Sequence, residues 1–190
     1  VALCKEKAFL SRLLLEDHTR EEAEAVIASA TMAGLQVELI TGDSSSQGPL
    51  LARDLGINVV KRGLTPQQKM AHVQQLQSAG AVVTMVGDGL NDAPVLSLAD
   101  ASFAVAGATD LARTQADFVI VDGDLHAVAS TWRKARQCRR IILQNFGWAL
   151  GYNISAIPLA AMGFIPPWAA AIGMSLSSLL VVANSLRLNR

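Results

Sequence analysis

Three clusters of polar residues occur in an order that could handle a phosphoryl group. Thr41-Gly42-Asp43 comes first, Lys69 follows, and Gly87-Asp88-Gly89-Leu90-Asn91-Asp92 is third. A hydroxyl and backbone N–H groups can hold phosphoryl oxygens, and a lysine neutralises their charge. A carboxylate at a strand end binds Mg²⁺, which bridges to the phosphoryl group. The glycines around Asp88 permit a sharp turn and close backbone approach. Either short motif alone is weak, because Thr-Gly-Asp is only three residues. The ordered set points to aspartyl-phosphate chemistry. A nucleotide-binding or purely structural α/β domain is the plainer alternative.

A second polar set lies in an apolar setting. From Ile141 to Leu186 there is no Asp, Glu, Lys, Arg or His. Within that stretch stand Tyr152, Asn153, Met174 and Ser178, with Met174 and Ser178 spaced i, i+4 on one helical face. A thioether beside neutral oxygens suits a soft monovalent ion, whereas a divalent ion would call for a carboxylate here. The plainer reading is that Asn and Ser hydrogen-bond between helices.

The elements that position these residues follow from local signals. Residues 1–17 hold two short apolar runs that read as strands of something begun upstream. Thr19-Arg20-Glu21-Glu22 fits a capping box opening a helix that Gly34 closes. Val37–Ile40 is a strand, and a helix to about Leu55 ends at Gly56. Ile57–Val60 is the next strand. Thr65-Pro66-Gln67-Gln68 is a second capping box with proline at the first helical position, and its helix ends near Gly80. Ala81–Val86, Ser102–Val105 and Phe118–Val121 complete the strands. Alternating strands and helices imply an α/β, Rossmann-like parallel sheet with helices on both faces. Ligands of such folds sit at the carboxyl ends of the strands, where both aspartate loops fall.

The charge-free stretch has room for two spans of about 20 residues each. Pro166-Pro167 marks the turn, giving helices of about 143–164 and 167–186 as a two-helix transmembrane hairpin. Gly147, Gly151 and Ser155, and Ala169, Gly173 and Ser177, recur every four residues and would let helices approach closely. Pro158 is expected to kink or open its helix. Arg133, Lys134, Arg136, Arg139 and Arg140 precede the hairpin and Arg187 and Arg190 follow it, so both ends are expected on the cytoplasmic side. The domain expectation is therefore 1–130 for the α/β part, 131–142 for a basic juxtamembrane linker or helix, and 143–187 for the hairpin.

Composition agrees with this division. The 190 residues are 51% hydrophobic with no net charge, yet all 16 acids lie in residues 1–124 and residues 125–190 carry seven Lys/Arg and none. Cys4 and Cys138 are far apart and read as reduced thiols. His18, His72 and His126 share no ligand spacing and read as structural or surface groups. Asp100, Asp110 and Asp117 read as caps and solvated charges. The chain begins with Val rather than Met and is expected to be a fragment of a longer protein.

Gly-Asp-Gly-Leu-Asn-Asp-Ala-Pro over 87–94, with Thr-Gly-Asp and a lysine on a Thr-Pro-x-x-Lys helix, resembles the haloacid-dehalogenase superfamily and, within it, the P-type ATPases. The stretch Asn145-Phe146-Gly147-Trp148-Ala149, Tyr152-Asn153, Met174-Ser175-Leu176-Ser177-Ser178 and Asn184-Ser185-Leu186-Arg187 resembles the last two helices of the copper-transporting members. The resemblance implies Asp88 as Mg²⁺ ligand, Asn91 and Asp92 as its support, Thr41 and Lys69 on the phosphoryl group, and Asp43, with Gly42, shaping the loop. It implies Tyr152, Asn153, Met174 and Ser178 around transported Cu(I) or Ag(I), with ATP as the phosphoryl donor. It further implies upstream domains of the same pump, a copper chaperone and membrane lipid as partners, no nucleic acid, and a place in a bacterial plasma membrane with residues 1–140 and the C-terminus cytoplasmic. The ending resembles the branch that supplies cytochrome oxidase assembly. Ser44 stands where the family has Asn after Thr-Gly-Asp, and Thr65 where it has Leu before proline. The phosphorylated Asp is not in this chain, which is expected to be inactive alone. Two competing expectations are a membrane-anchored phosphatase of the same superfamily and a non-catalytic regulatory fragment.

Overall fold

A computed structural model describes residues 2–5, 8–12, 19–88, 92–105 and 107–189, arranged as two units, Val1–Ala127 and Val128–Arg190. In the first, β1 (Ala2–Lys5) and β2 (Ala8–Arg12) form an antiparallel pair. Then α1 (Ala23–Met32), β3 (Glu38–Ile40), α2 (Gln47–Asp54), β4 (Val59–Lys61), α3 (Pro66–Ser78), β5 (Thr84–Gly87), α4 (Ala93–Leu98), β6 (Ala101–Ala104), α5 (Asp110–Gln115) and β7 (Phe118–Val119) alternate. β3 pairs parallel with β4, and β5, β6 and β7 form a parallel sheet in that order. Parallel neighbours need long crossovers, and the helices supply them, as expected of an α/β chain.

The two capping boxes behave differently. At α3, Thr65 Oγ1 accepts from Gln68 N at 3.3 Å and Gln68 Oε1 accepts from Thr65 N at 2.9 Å, with Pro66 opening the helix. At α1 no side-chain cap forms and the helix starts at Ala23. There Glu22 accepts instead from Leu125 N at 3.4 Å, and Arg20 donates to the Gly123 carbonyl. Long-range bonds have taken the groups that would have capped locally.

The core joins one face of α3 to β5 and α4: Val73, Met85, Ala93, Val95 and Leu96 are buried, with Ile40, Met70 and Val83 packed around them. β5 begins at Thr84 rather than Ala81. Asp100 explains the shift, because its Oδ2 accepts from Val83 N at 2.8 Å where a ladder partner would stand. Asp117 likewise accepts from both N and Oγ of Ser102, each at 2.9 Å, and His72 Nε2 meets Glu38 Oε2 at 2.7 Å. These groups are structural, as read from sequence. Alternation along β5 buries Met85 and leaves Val86 39% exposed, so this strand is covered on one face.

The second unit is a helix pair. α6 (His126–Ala161) begins well before Leu143, takes in the basic segment without a break, and continues through Pro158. Gly163, at φ +81°, ends it, and α7 (Pro167–Ser185) starts after Pro166 in extended conformation, followed by a 3-10 turn, Leu186–Asn189. The helices run antiparallel. Trp148 Nε1 donates to Ser177 Oγ at 3.1 Å, Asn145 Nδ2 to Ser185 Oγ at 3.0 Å, and Asn184 Nδ2 to Asn145 Oδ1 at 2.8 Å. Gly173 lies against Tyr152, where an added Cβ would stand 2.5 Å from the phenol oxygen. The expectation for helix one differs: a Cβ at Gly147 or Gly151 would meet nothing within 4 Å, so these glycines are not in the contact. Ile142, Phe146, Ile154, Ile157, Ile172, Leu176 and Leu179 are all more than half exposed. Among the described residues, Pro167–Leu188 is the one segment long and apolar enough to cross a membrane by length and composition.

Leu96→Ala removes a fully buried side chain and is expected to lower unfolding free energy by about 2–5 kcal/mol. Thr65→Ala is expected to cost about 1 kcal/mol. Urea titration of the first unit's circular dichroism measures both, and an unchanged midpoint for Leu96→Ala would contradict the core assigned here.

Candidate functional site

The Thr-Gly-Asp segment continues the β3 ladder by one residue. Thr41 N donates to Lys61 O at 2.8 Å and Leu64 N donates to Thr41 O at 3.0 Å. The chain then turns away. Asp43 N donates to Thr41 Oγ1 at 3.1 Å, and the Asp43 carboxylate accepts from both the N, at 2.8 Å, and the hydroxyl of Ser45. The Ser45 hydroxyl and then its N–H hold the Asp43 carboxyl below the ordinary aspartate range. Asp43 is thus committed to closing the loop. Gly42 fits closely, since an added Cβ would lie 3.4 Å from the Leu64 carbonyl oxygen.

Leu64 directly precedes the cap of α3, whose fourth residue is Lys69. Lys69 is only 7% exposed, and its Nζ stands 2.7 Å from Asp92 Oδ1. Asp92 opens α4, its carbonyl accepting from Val95 N and Leu96 N, both at 2.9 Å. Gly87 lies close under it, with an added Cβ 3.8 Å from Asp92 Cβ. Direct contacts therefore link Thr41 through Leu64 and α3 to Lys69, then to Asp92 and the end of β5. Asp88 follows at that end and is exposed. Asn91 lies outside the described residues. The residues that sequence reasoning missed here are Ser45, which holds Asp43, and Arg62, whose guanidinium approaches the Ser44 and Ser45 carbonyls at 3.5 and 3.4 Å. Neither belongs to a motif; only the fold of the loop shows them.

In the helix pair, Tyr152 is half-buried against Gly173, whereas Asn153, Met174 and Ser178 are exposed. Asn153, Met174 and Ser178 each follow a contact residue (Tyr152, Gly173 and Ser177) by one position. In an antiparallel pair, a step of about 100° from the contact on either helix turns to the same flank. The three side chains therefore share one side of the pair. Trp148, Ser177, Asn145 and Asn184 fix the register; in the sequence they stand in the family-like stretches, with Ser177 in the small-residue repeat, and carry no role of their own there. Asn145, Trp148 and Asn184 also border a cavity of about 450 Å³ with Gln144, Leu180 and Val181. A second cavity, of about 500 Å³, is lined by Glu21, Glu22, Ala25, Asp122, Gly123, Asp124 and His126, and includes none of the expected site residues.

A strand-end aspartate loop, a buried lysine and a preceding threonine loop on parallel strands define the class. The haloacid dehalogenase-like hydrolase model matches residues 2–100, more than half of the chain, and the chain belongs to that family. Its relatives include a probable copper-exporting P-type ATPase V of Mycobacterium tuberculosis, 44% identical over 94% of this chain and 23% of the relative. A copper-exporting P-type ATPase of Bacillus subtilis is 40% identical over 92% of this chain and 22% of the relative. The chain thus spans under a quarter of the length of these proteins. Among solved structures, a zinc-transporting PIB-type ATPase in the E2.Pi state superposes with a TM-score of 0.87 at 31% identity, covering 92% of this chain and 29% of that one. The catalytic domain of the CPx-ATPase CopB-B gives 0.58 at 28% identity, over 61% of this chain and 46% of that one.

Two outcomes follow. Ser45→Ala is expected to return the Asp43 pKa upward toward its ordinary value near 3.8, read by carboxyl NMR titration. Because the folded value is depressed, the loop's stabilisation is complete above the unfolded pKa and is lost as pH falls through the folded one. Lys69→Met strands the Asp92 carboxylate and is expected to destabilise the first unit by about 3 kcal/mol in denaturant titration.

Proposed function

We propose that this chain is the C-terminal part of an ATP-driven P-type pump that exports Cu(I) (Cu⁺) or Ag(I) through an aspartyl-phosphate cycle. The single observation that carries the catalytic half is the buried Lys69–Asp92 pair at the mouth of β5, linked through Leu64 to the Thr41 loop. On this proposal the γ-phosphoryl group of ATP passes to an aspartate carboxylate in the upstream part of the protein, and water later releases it as phosphate. The length of the relatives supports such an upstream part. An ammonium has three N–H donors. One serves Asp92, and the others would hold phosphoryl oxygens together with the Thr41 hydroxyl. Asn91 would support this site.

Mg²⁺ keeps several waters and binds through one or two carboxylates plus phosphate oxygens. Asp88 offers such a carboxylate at the exposed end of β5, and the resemblance of residues 87–94 to the family motif assigns it to the ion. Bound there, Mg²⁺ would neutralise charge on the transferring group. Among the described residues no group of three His, Cys, Asp or Glu side chains forms a ready-made cage, as suits an ion completed by its substrate.

For the cargo, the shared flank of Asn153, Met174 and Ser178, with Tyr152 beside it, supports a soft monovalent ion. The residues 141–186 contain no carboxylate, which argues against a divalent ion, even though a solved structural neighbour is described as zinc-transporting. Length and composition support α7 as a membrane span, and the exposed apolar side chains support α6 from about Ile141 as its partner, with the basic end cytoplasmic. A bacterial plasma membrane, a copper chaperone as donor and a role in cytochrome oxidase assembly belong to the same proposal.

In the full-length protein, Asp88→Asn is expected to lower ATP turnover by about 10²-fold or more and to prevent phosphoenzyme labelling from radioactive ATP. Met174→Ala and Asn153→Ala are expected to retain phosphorylation by inorganic phosphate but to lose Cu(I)-stimulated ATPase activity. Unchanged copper stimulation in both would discard the ion flank.

A further inference from the structure

We infer that the first turns of α6 carry a binding face for anionic phospholipid headgroups; the inference rests on the membrane reading of the helix pair. Here α6 has two faces. Lys134 Nζ donates to Leu188 O at 3.0 Å, Gln137 Nε2 donates to Arg187 O at 3.3 Å, and Ile141 is 4% exposed. These three, spaced i, i+3, i+7, mark the face turned toward the C-terminal turn, on which Ile141 is buried and Lys134 itself stays exposed. On the other side, Trp132, Arg136 and Arg139 fall at i, i+4, i+7, and Arg133, Arg136 and Arg140 at i, i+3, i+7. All four arginines are exposed. Arg136 stacks over Trp132, its guanidinium carbon 4.8 Å from the ring centroid.

Three features select the occupant. The charge is uncompensated, since residues 125–190 contain no acid and, among the described residues, none of the four arginines is in an ion pair. The height is right: Arg140 adjoins the uncharged stretch, and Arg133 lies about 10 Å further out along the rigid helix. That range spans the headgroup layer, roughly 5–8 Å, and ends within the first screening length above it, roughly 8–10 Å. The side-chain direction is right as well. Helical side chains lean toward the helix N-terminus, so Arg139 and Arg140 lean out of the hydrocarbon toward the phosphates. Arginine forks bind phosphate oxygens in pairs.

The test places the full-length protein in phosphatidylcholine nanodiscs carrying a trace of spin-labelled phosphatidylglycerol or spin-labelled phosphatidylcholine, and reads motionally restricted lipid by electron paramagnetic resonance. Phosphatidylglycerol is expected to be preferred by about fivefold or more at low salt and to approach parity near 0.5 M salt. Replacing Arg133, Arg136, Arg139 and Arg140 by Gln together is expected to lower that preference at least threefold (on the order of the loss of one or more surface cations). Lys134→Gln removes an exposed charge whose ammonium is held on the Leu188 carbonyl, on the face toward the C-terminal turn, and is expected to lower the preference less than the fourfold change does. No preference in the unaltered protein, a preference that survives the fourfold change, as when acidic residues of the chain itself occupy the face, or an equal loss in Lys134→Gln would each overturn the inference. Restricted phosphatidylcholine reports insertion separately: its absence sinks the membrane reading, whereas its presence without headgroup selectivity sinks only the arginine face.

Discussion

The first unit depends on one buried ion pair. Taking Lys69 and Asp92 out of water costs several kcal/mol per ion, and a 2.7 Å contact recovers that only with good geometry. A hydrophobic pair would hold α3 against α4 at least as well. A buried cation fixed at a strand end is instead what an anionic substrate group requires. The pair also has a mechanical consequence. It clamps the start of α3 to the start of α4, and the Leu64–Thr41 bond clamps the start of α3 to the end of β3. Three motifs separated in sequence become one edge. Asp43 contributes nothing to that charge balance; its carboxylate is spent on Ser45 and keeps the loop in place.

Between Ile141 and Leu186 the second unit carries no charge and turns Ile, Leu, Phe and Trp side chains outward, so packing and interhelical hydrogen bonds are what join its helices there. The pair uses both. Gly173 admits the Tyr152 ring, and Trp148–Ser177 and Asn145–Asn184–Ser185 bonds set the register. That register turns Asn153, Met174 and Ser178 to one flank. Small residues alone would not have done so, because Gly147 and Gly151 stand away from the contact.

The relatives and the structural neighbours differ over cargo, since the former are described as copper exporters and a solved neighbour as a zinc transporter. The backbone cannot arbitrate: the same two helices can serve either ion. What this chain itself offers between Ile141 and Leu186 is sulfur and neutral oxygens without a carboxylate, which is the basis of the proposal for a soft ion.

Much was legible in the residues themselves. The α/β alternation, the α3 capping box, the Gly34, Gly56 and Gly80 stops, the charge-free stretch and the ordered Thr41, Lys69 and Asp88 motifs are local patterns, and local patterns survive in a linear string. The α1 start and the β5 start differ from the sequence expectation where distant groups intervene, and of the two forms expected for 131–142, linker or helix, the chain takes the helix. Leu125 and Gly123 engage Glu22 and Arg20, Asp100 replaces a ladder partner of Val83, and the basic segment propagates the helix that follows it. The Lys69–Asp92 clamp, the Asp43–Ser45 closure, the helix register and the two faces of the basic turns were decided by tertiary structure alone. The clamp and the register depend on which side chains meet across tens of residues, and spacing along the chain does not encode that meeting; the Asp43–Ser45 closure is local but follows from the path of the loop.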